Sequence, residues 1–262
     1  MTGTANGGDP PAVWARGLWK RFGPTVAVSG ADLDVPAGSF FGLVGPNGAG
    51  KTTTLSMLTG LLRPDAGGAW VDGVDVWADP LEAKRRIGVL PEGLRLFERL
   101  SGPELLSYVG RLRRLPSPDI ASRSQELLRV LDLDSAGKTL VVDYSTGMRK
   151  KVALAAALLH NPRVLFLDEP FEGVDPVSGR VIRELLERYT ATGSTVIFSS
   201  HVMELVERLC DAVAVISAGR VVASGPLDAV RGGRRLEDAF VELVGATGRT
   251  EKGLSWLGSS PR

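Results

Sequence analysis

The stretch Gly45-Pro46-Asn47-Gly48-Ala49-Gly50-Lys51-Thr52 fits G-x-x-x-x-G-K-[ST], the pattern of a loop that wraps nucleotide phosphates. Residues 40–44 before it predict a short buried strand, and residues 52–58 after it predict a helix that ends near Gly60. Strand, glycine-rich loop and helix are the structural context that this pattern requires. We call residues 45–52 the phosphate loop.

The residue types of the phosphate loop suit phosphate binding. Glycines let backbone N–H groups point inward as an anion nest, and the start of the following helix adds the positive end of its dipole. Lys51 would place an ammonium beside the β- and γ-phosphates, and Thr52 would offer its hydroxyl to Mg²⁺. The nucleotide-binding residues predicted here are Gly45, Pro46, Asn47, Gly48, Ala49, Gly50, Lys51, Thr52 and the adjacent Thr53.

Composition narrows the classes of protein that this chain fits. Its 262 residues give room for one large or two modest domains with a core. A formal net charge of +1 provides no basic footprint for nucleic acid, so no nucleic-acid partner is expected. One cysteine and two histidines argue against a disulfide framework and against a zinc site. No apolar run approaches the roughly 18 residues of a membrane span, so work at a membrane would need a partner.

Strand and helix patterns alternate along much of the chain. Short apolar runs predict strands, bounded by turn residues, at 13–18, 26–35, 69–73, 86–90, 163–167 and 194–199, with a hairpin at 212–216 and 220–223. Helices are predicted at 177–189, 202–209 and 227–244. The almost uninterrupted apolar run 163–167 suits a central parallel strand that is covered on both faces. The predicted fold class is therefore α/β, with a doubly wound, mainly parallel sheet and a β-rich first part that we expect to form an N-terminal antiparallel β part.

Helical spacing dominates residues 93–159, which we predict to form a helical insert. Its last helix, predicted at 148–159, carries Arg149, Lys150 and Lys151 in its first turn, which opposes the helix dipole. Such a run is either a solvated face or a group that attracts an anion. The predicted boundaries are a flexible tail at 1–11, a nucleotide domain at 12–228 (core 12–92 and 160–228, helical subdomain 93–159), and a terminal helix with a loose tail at 229–262.

Polar side chains follow two of the predicted strands. Asp168 ends the apolar run and is placed to hold Mg²⁺, while Glu169 beside it suits a general base that activates water. The alternative is that both carboxylates merely cap the strand. His201 follows the next strand, where it would contact a γ-phosphate or the attacking water, or serve structure alone. Because ligands of doubly wound sheets bind at the carboxyl ends of strands, the functional reading is favoured.

Taken together, these residues resemble the ATP-binding subunit of an ABC transporter. The phosphate loop matches the family's Walker A motif, residues 164–168 match Walker B, and Glu169 matches the catalytic base. Gly173-Val174-Asp175 resembles the D-loop, His201 the switch histidine, and Phe22 the aromatic residue that stacks on the base. The alternative interpretation of Phe22 is an ordinary core or edge phenylalanine with no contact to the nucleotide. The resemblance covers about residues 13–226 and implies a P-loop NTPase (RecA-like) core, ATP and Mg²⁺ as ligands, and ATPase activity with Lys51, Glu169 and His201 as catalytic residues.

The chain departs from the family pattern at two motifs. Tyr144-Ser145-Thr146-Gly147-Met148 resembles the signature Leu-Ser-Gly-Gly-Gln, and retains the Ser145 and Gly147 that in the family bind the nucleotide held by a second subunit. Glu92 occupies the place of the Q-loop glutamine. A carboxylate still ligates Mg²⁺, together with Thr52 and Asp168, but it cannot donate as an amide does. Both departures resemble the single-cassette drug and antibiotic exporters, as does the ending Leu236-Glu237-Asp238-Ala239-Phe240.

The resemblance implies a homodimer or heterodimer of ATPase subunits bound to a separate integral membrane permease, at the cytoplasmic face of the cell membrane. The permease-facing surface is expected near residues 92–99 and the helical insert. Three alternatives remain: a soluble ABC ATPase that acts on ribosomes or DNA, an importer subunit, and a regulatory module that holds ATP without hydrolysing it. A GTPase is disfavoured because the chain has no Asn-Lys-x-Asp guanine reader.

Overall fold

The computed structural model describes residues 10–93 and 95–245. Within them the strands are β1 (Val13–Phe22), β2 (Thr25–Val35), β3 (Phe40–Val44), β4 (Ala66–Val71), β5 (Val74–Asp75), β6 (Ile87–Leu90), β7 (Val164–Leu167), β8 (Thr195–Ser200), β9 (Ala212–Ser217) and β10 (Arg220–Pro226). The helices are α1 (Lys51–Leu58), α2 (Pro80–Arg86), α3 (Gly102–Leu112), α4 (Ser117–Val130), α5 (Thr146–Leu158), α6 (Pro176–Ala191), α7 (Met203–Leu209), α8 (Leu227–Arg231) and α9 (Leu236–Leu243).

The larger sheet has the strand order β10-β9-β3-β8-β7-β6. All pairs from β9 to β6 are parallel, and only the edge strand β10 is antiparallel. Every residue of β3, β7 and β8 is buried, as expected for strands covered on both faces. The carboxyl ends of β3, β8, β7 and β6 therefore lie side by side at one edge of the sheet.

The smaller sheet is antiparallel, with the order β2-β1-β4-β5. Trp14 on β1 stacks on its cross-strand partner Trp70 on β4, with ring centroids 5.7 Å apart. The two sheets share one hydrophobic core, in which Leu55, Met57 and Leu58 of α1 pack between Phe41 of the larger sheet and the inner residues of the smaller one. Helix α1 is thus fixed by burial on several sides, and so is the phosphate loop in front of it.

Helices α3, α4 and α5 form the predicted helical insert and pack on the other core. Helix α3 begins at a capping box, in which Ser101 N–H and Oγ both donate to the Glu104 carboxylate, at 2.8 and 2.7 Å. Leu105 and Leu106 of α3 pack with Val152 and Leu154 of α5 in this core. The insert therefore joins the larger sheet through α5.

Several sequence-based boundaries were wrong in detail. Arg86, predicted to open a strand, is the last residue of α2, a helix that the sequence analysis did not identify; Asp79 caps it and Pro80 begins it. The helix predicted at 227–244 is two helices, because Gly232 (φ +60°) and Gly233 (φ +76°) adopt left-handed conformations that end α8. Of the tail predicted at 1–11, residues 1–9 lie outside the described residues, and so does the predicted loose tail from residue 246 onward.

Candidate nucleotide site

The phosphate loop connects β3 to α1 through two left-handed glycines. Gly48 has φ +77° and Gly50, the N-cap of α1, has φ +106°, conformations that are strained for other residues. A Cβ on Gly50 would lie 2.5 Å from the Ala27 carbonyl oxygen, and one on Gly45 would lie 2.4 Å from that of Ile216. The glycines of this loop are thus required both by backbone conformation and by close packing.

Lys51 is the first residue of α1, and its side chain is only 7% exposed. Its Nζ donates to the Gly45 carbonyl oxygen at 2.8 Å and lies 3.6 Å from Oε1 of Glu169. The ammonium therefore lies between the phosphate loop and the carboxylates that follow β7. The ammonium is therefore placed to neutralise negative charge on a phosphate that is bound next to the carboxylates.

Asp168 and Glu169 follow β7 and are bridged by a serine of the neighbouring strand. The hydroxyl of Ser199 on β8 donates to Oδ1 of Asp168 and accepts from the N–H of Glu169 at 2.9 Å. All three residues are buried, with Ser199 at 0% exposure. Glu169 itself adopts a left-handed backbone conformation with φ +44°, which is uncommon for a residue with a side chain. The serine thus ties the carboxylate of Asp168 to the backbone of Glu169.

His201 comes one residue after β8, and its Nδ1 lies 3.1 Å from Oε1 of Glu169. Oε1 of Glu169 therefore lies close to both the Lys51 ammonium and the His201 ring. On the opposite side of the site, Oγ1 of Thr52 donates to Oε2 of Glu92 at 3.1 Å. Residues from the ends of four adjacent strands thus meet around the phosphate loop.

A cavity of about 270 Å³ lies over the phosphate loop. It brings together ten of the predicted site residues: Asn47, Gly48, Ala49, Gly50, Lys51, Thr52, Thr53, Glu92, Glu169 and His201. Asp168 lines an adjoining cavity with Thr52 and Glu92. Gly45 and Pro46 lie at the base of the loop, where their carbonyl oxygens accept from Lys51 Nζ. This arrangement fits a phosphate-binding site with carboxylates on one side.

Besides Gly45 and Pro46, three predicted nucleotide-binding residues do not line this cavity: Phe22, Ser145 and Gly147. Phe22 is 49% exposed, and the ammonium of Lys20 lies 5.7 Å from its ring centroid. Ser145 is the exposed N-cap of α5, and its Oγ accepts from the Met148 N–H at 3.2 Å. Gly147 faces the start of α6, because a Cβ there would lie 2.8 Å from Ser178 Oγ and 2.9 Å from Asp175 Oδ2. The signature stretch therefore lies outside the cavity that the same chain forms.

Four residues that sequence reasoning missed belong to this region. Ala27 and Glu172 line the cavity. Ser199 bridges Asp168 and Glu169, and Lys150 donates from α5 to the Glu169 carbonyl oxygen at 2.6 Å. Glu172 could have been identified from the sequence, because it is an acidic residue only three positions after Glu169. The positions of the other three residues in this region result from tertiary packing, which the sequence pattern does not indicate.

The oxygen donors of this site fit Mg²⁺ better than they fit a transition metal. The predicted ligands are the hydroxyl of Thr52 and the carboxylates of Glu92 and Asp168, and Mg²⁺ is typically held by one or two carboxylates together with substrate phosphates and water. Among residues 10–93 and 95–245, no three His, Cys, Asp or Glu side chains are grouped closely enough to hold a metal by themselves. Such a site depends on the nucleotide for the remaining ligands.

Comparison with known proteins gives a consistent result. The family model "ABC transporter" matches residues 28–172. A daunorubicin resistance ATP-binding protein of Streptomyces coeruleorubidus is 40% identical over 229 residues, which are 86% of this chain and 72% of that protein. A Nod factor export ATP-binding protein of Ralstonia nicotianae is 39% identical over 83% of this chain and 68% of its own length.

A solved structure of the ATP-binding subunit of an ABC transporter superposes with a TM-score of 0.82 at 29% identity. The match covers 88% of this chain and 99% of that one. The predicted fold, with its parallel core sheet, antiparallel sheet and helices, is thereby confirmed. The chain belongs to the ABC transporter family, as one of its ATP-hydrolysing, nucleotide-binding subunits.

Proposed function

We propose that two copies of this subunit, or this subunit and a similar one, hydrolyse ATP at composite sites in a head-to-tail dimer. The observation that carries the proposal is that Ser145 and Thr146 lie exposed at the start of α5, outside the chain's own cavity. A helix start with a serine offers N–H and hydroxyl donors to an anion. The second subunit's nucleotide is the anion that these donors would meet, and the phosphate loop supplies the other half of each site.

Within one composite site, the side chains have distinct roles. Lys51 and the N–H groups of the phosphate loop hold the β- and γ-phosphates, and Phe22 stacks on the base. Glu169 accepts a proton from the attacking water, as its carboxylate opens into the cavity. His201, 3.1 Å from Glu169, orients that carboxylate and contacts the γ-phosphate. Ser145 and Gly147 of the other subunit close the site.

Mg²⁺ would be held by Thr52 and Asp168, with Glu92 as a further oxygen ligand. When bound, it neutralises charge on the β- and γ-phosphates. Thr52 and Glu92 already lie within hydrogen-bond distance of each other, and Asp168 lines the adjoining cavity with both. Ser199 holds Oδ1 of Asp168, which leaves Oδ2 of this carboxylate for the ion.

The subunit powers a separate membrane permease, and we propose export of a drug-like or other small molecule as the process. The relatives above are named for daunorubicin resistance and for Nod factor export. None of the helices in the described part of the chain is long and apolar enough to cross a bilayer. The permease would therefore place this subunit at the cytoplasmic face of the cell membrane.

The permease-facing surface that we propose is the segment 95–100 together with Tyr108 of α3. Phe97 is 52% exposed and packs edge-to-face on Tyr108, with ring centroids 4.7 Å apart. These side chains line a shallow groove with Leu96 and Leu100. Leu94, which was expected to contribute, lies outside the described residues. An amphipathic segment of the permease would cover this groove.

Complementation between two inactive variants tests the composite site. Lys51→Ala removes the phosphate cation, and Ser145→Glu places a repelling carboxylate at the signature. In a head-to-tail mixed dimer, both changes fall in one site and the other site is intact. We expect phosphate release by the mixture well above the sum of the separate variants. A mixture no more active than that sum would overturn the head-to-tail arrangement.

A second experiment isolates the base. Glu169→Gln keeps the shape of the side chain and removes its charge, so turnover should stop while ATP binding and ATP-driven dimerisation persist. Light scattering with ATP and Mg²⁺ measures the dimer, and Lys51→Ala serves as the matched control that should remain monomeric. Detection of monomers only for Glu169→Gln would contradict the proposal.

A further inference from the structure

Lys150 connects the signature helix to the backbone of the catalytic glutamate. It lies on α5, five residues after the N-cap Ser145, and is 8% exposed. Its Nζ donates to the Glu169 carbonyl oxygen at 2.6 Å, a short charge-assisted bond. A buried ammonium is retained in a protein only where it has such partners. The bond therefore marks a specific contact between two motifs that lie 19 residues apart in sequence.

The basic neighbours of Lys150 do not share this contact. Arg149 turns back to the carbonyl oxygens of Tyr144 (3.2 Å) and Val142 (2.7 Å). Lys151 is also buried, at 4% exposure, but its ammonium lies 4.0 Å from Asp132. The basic run at the start of α5 is therefore neither a solvated face nor an open anion site. Each of its side chains is directed to a different part of the protein.

The peptide groups on both sides of Glu169 are held by side chains. Its N–H donates to Ser199 Oγ at 2.9 Å, and its carbonyl oxygen accepts from Lys150. The backbone between them has φ +44°, a conformation that persists only when the surroundings impose it. Because the direction of the Cβ depends on φ and ψ, these two bonds also direct the carboxylate toward His201 and Lys51.

The charges around Lys150 only partly offset the effect of its burial, and its pKa is lowered overall. Burial lowers the pKa of Lys150, and the carboxylates of Glu172, Glu169, Asp168 and Glu92 act in the opposite direction. The ammonium thus lies beneath the acidic side of the nucleotide cavity. Removing it would leave the Glu169 carbonyl oxygen without this donor, and the carboxylates without a buried counter-charge.

We propose that Lys150 is a positioning residue for Glu169, and that it transmits the position of the signature helix to the chain's own hydrolytic site. The second part rests on the proposed function, in which the start of α5 engages the nucleotide of the other subunit. Five helical residues rise about 7.5 Å, so a displacement of Ser145 moves Lys150 as part of the same rigid element. The start of α5 contacts the nucleotide of one composite site, whereas the Glu169 that Lys150 holds is the catalytic base of the other. Binding of ATP at one site would therefore change the position of the catalytic base at the other.

The test compares steady-state ATP hydrolysis and ATP binding in four full-length variants. Lys150→Met keeps the length and removes the donor, Lys150→Arg keeps charge and donor, and Lys150→Gln keeps a neutral donor on a shorter chain. Lys151→Met is the matched control, a buried lysine on the same helix. For Lys150→Met we expect kcat to fall about ten- to a hundredfold, as for a misplaced catalytic group, with KM and the Kd for ATP within about twofold.

Recovery by the conservative variant separates positioning from structure. Lys150→Arg should recover most of the kcat, Lys150→Gln should lie between Arg and Met, and Lys151→Met should change kcat by less than about threefold. A Lys150→Met enzyme with unchanged kcat, or one in which kcat and ATP affinity fall together and Arg does not restore them, overturns the inference. If Lys150→Met does not fold, the kcat and ATP affinity of Lys150→Arg are compared with those of Lys150→Gln instead.

Communication between the sites is read from mixed dimers that carry one active base. Each active subunit, with an intact Glu169, is mixed with an excess of Glu169→Gln subunits. If the active subunit retains Lys150, its rate of ATP hydrolysis should rise when the neighbouring site is filled with ATP. If it carries Lys150→Met, its rate should not rise. Equal acceleration in both mixtures would overturn the transmitting role. If the unmodified chain forms no ATP-bound dimer at all, the proposed function fails instead; an active dimer that is indifferent to Lys150 overturns this inference alone.

Discussion

Ser199→Ala should destabilise the protein far more than its neighbour Ser200→Ala, although the two serines are adjacent in β8 and both are buried. The Ser199 hydroxyl makes two bonds at once, since it donates to the Asp168 carboxylate and accepts from the Glu169 N–H. The Ser200 hydroxyl accepts one bond, from the Val202 N–H at 3.0 Å. The same chemical change therefore removes two contacts at one position and one at the next.

The magnitude follows from the groups left without partners. A hydrogen bond to a charged group contributes about 1.5–3 kcal/mol and a neutral one about 0.5–1.5 kcal/mol. For Ser199→Ala the two contributions together suggest a loss of roughly 2–4 kcal/mol of unfolding free energy, and for Ser200→Ala about 1 kcal/mol. The first value is at the severe end for a single substitution that removes one oxygen atom.

Urea denaturation followed by circular dichroism measures the difference. With a slope near 2–3 kcal/mol/M, Ser199→Ala should shift the midpoint down by about 1 M and Ser200→Ala by less than about 0.5 M, with unchanged slopes. Equal shifts for the two variants would refute the reasoning, because they would show that the bridge between Asp168 and Glu169 adds nothing beyond one ordinary bond. Nucleotide-free protein should be used, so that ligand binding does not mask the effect.

Three further predictions concern other parts of the site and the core. Burial and the nearby Arg113 hold the pKa of His160 at about 4, below its usual value near 6.5, so stability is full above pH 6.5 and is lost as the pH falls toward 4. Urea midpoints should show about 2 kcal/mol lost between pH 7 and pH 5, and a His160→Gln variant with the same slope would contradict this cause. Gly50→Ala should cost at least about 2 kcal/mol more than Gly48→Ala, because only Gly50 has a carbonyl oxygen, that of Ala27, in the path of a Cβ; thermal melts with similar midpoints would exclude it. Glu92→Gln should leave stability within about 0.5 kcal/mol, since its amide oxygen still accepts from Thr52, yet raise the Mg²⁺ concentration for half-maximal phosphate release; an unchanged Mg²⁺ dependence would remove Glu92 from the metal site.

The parts of the fold that could be predicted are those fixed by local sequence. The apolar run before Asp168 and the run before Ser200 predict buried strands, and the parallel-sheet rule then places their ends at one edge. The phosphate loop is likewise local, because strand, glycines and helix follow one another directly. Asp168, Glu169 and His201 were assigned from this logic, and the structure brings them together at the edge of the sheet.

What escaped prediction depends on contacts between distant segments. In a basic run, the sequence does not show which lysine is buried and which is exposed. Lys150, which binds Glu169, therefore cannot be distinguished by sequence from Lys151, which lies near Asp132. Ser199 resembles Ser200 in the same way. Helix α2 was missed because its seven residues are too short for a clear 3.6-residue pattern, and only the Asp79 cap and Pro80 signal its start.

The order of the strands in the larger sheet explains how the segment that carries Phe97 is connected to the phosphate loop. In sequence the site residues run from the loop to Glu92, Glu169 and His201, but in the sheet the strands before them lie in the order β3, β8, β7, β6. Glu92 follows the strand farthest from β3, some three strand spacings of about 4.8 Å away. Its carboxylate nevertheless contacts Thr52, because α1 lies beside β6 and β7, with which it lines a cavity. The same segment continues within a few residues to the exposed Phe97. Because Phe97 lies only five residues after Glu92, we expect a permease segment bound at Phe97 to influence the contact between Glu92 and Thr52, and we propose this contact as the point where the permease is coupled to the nucleotide.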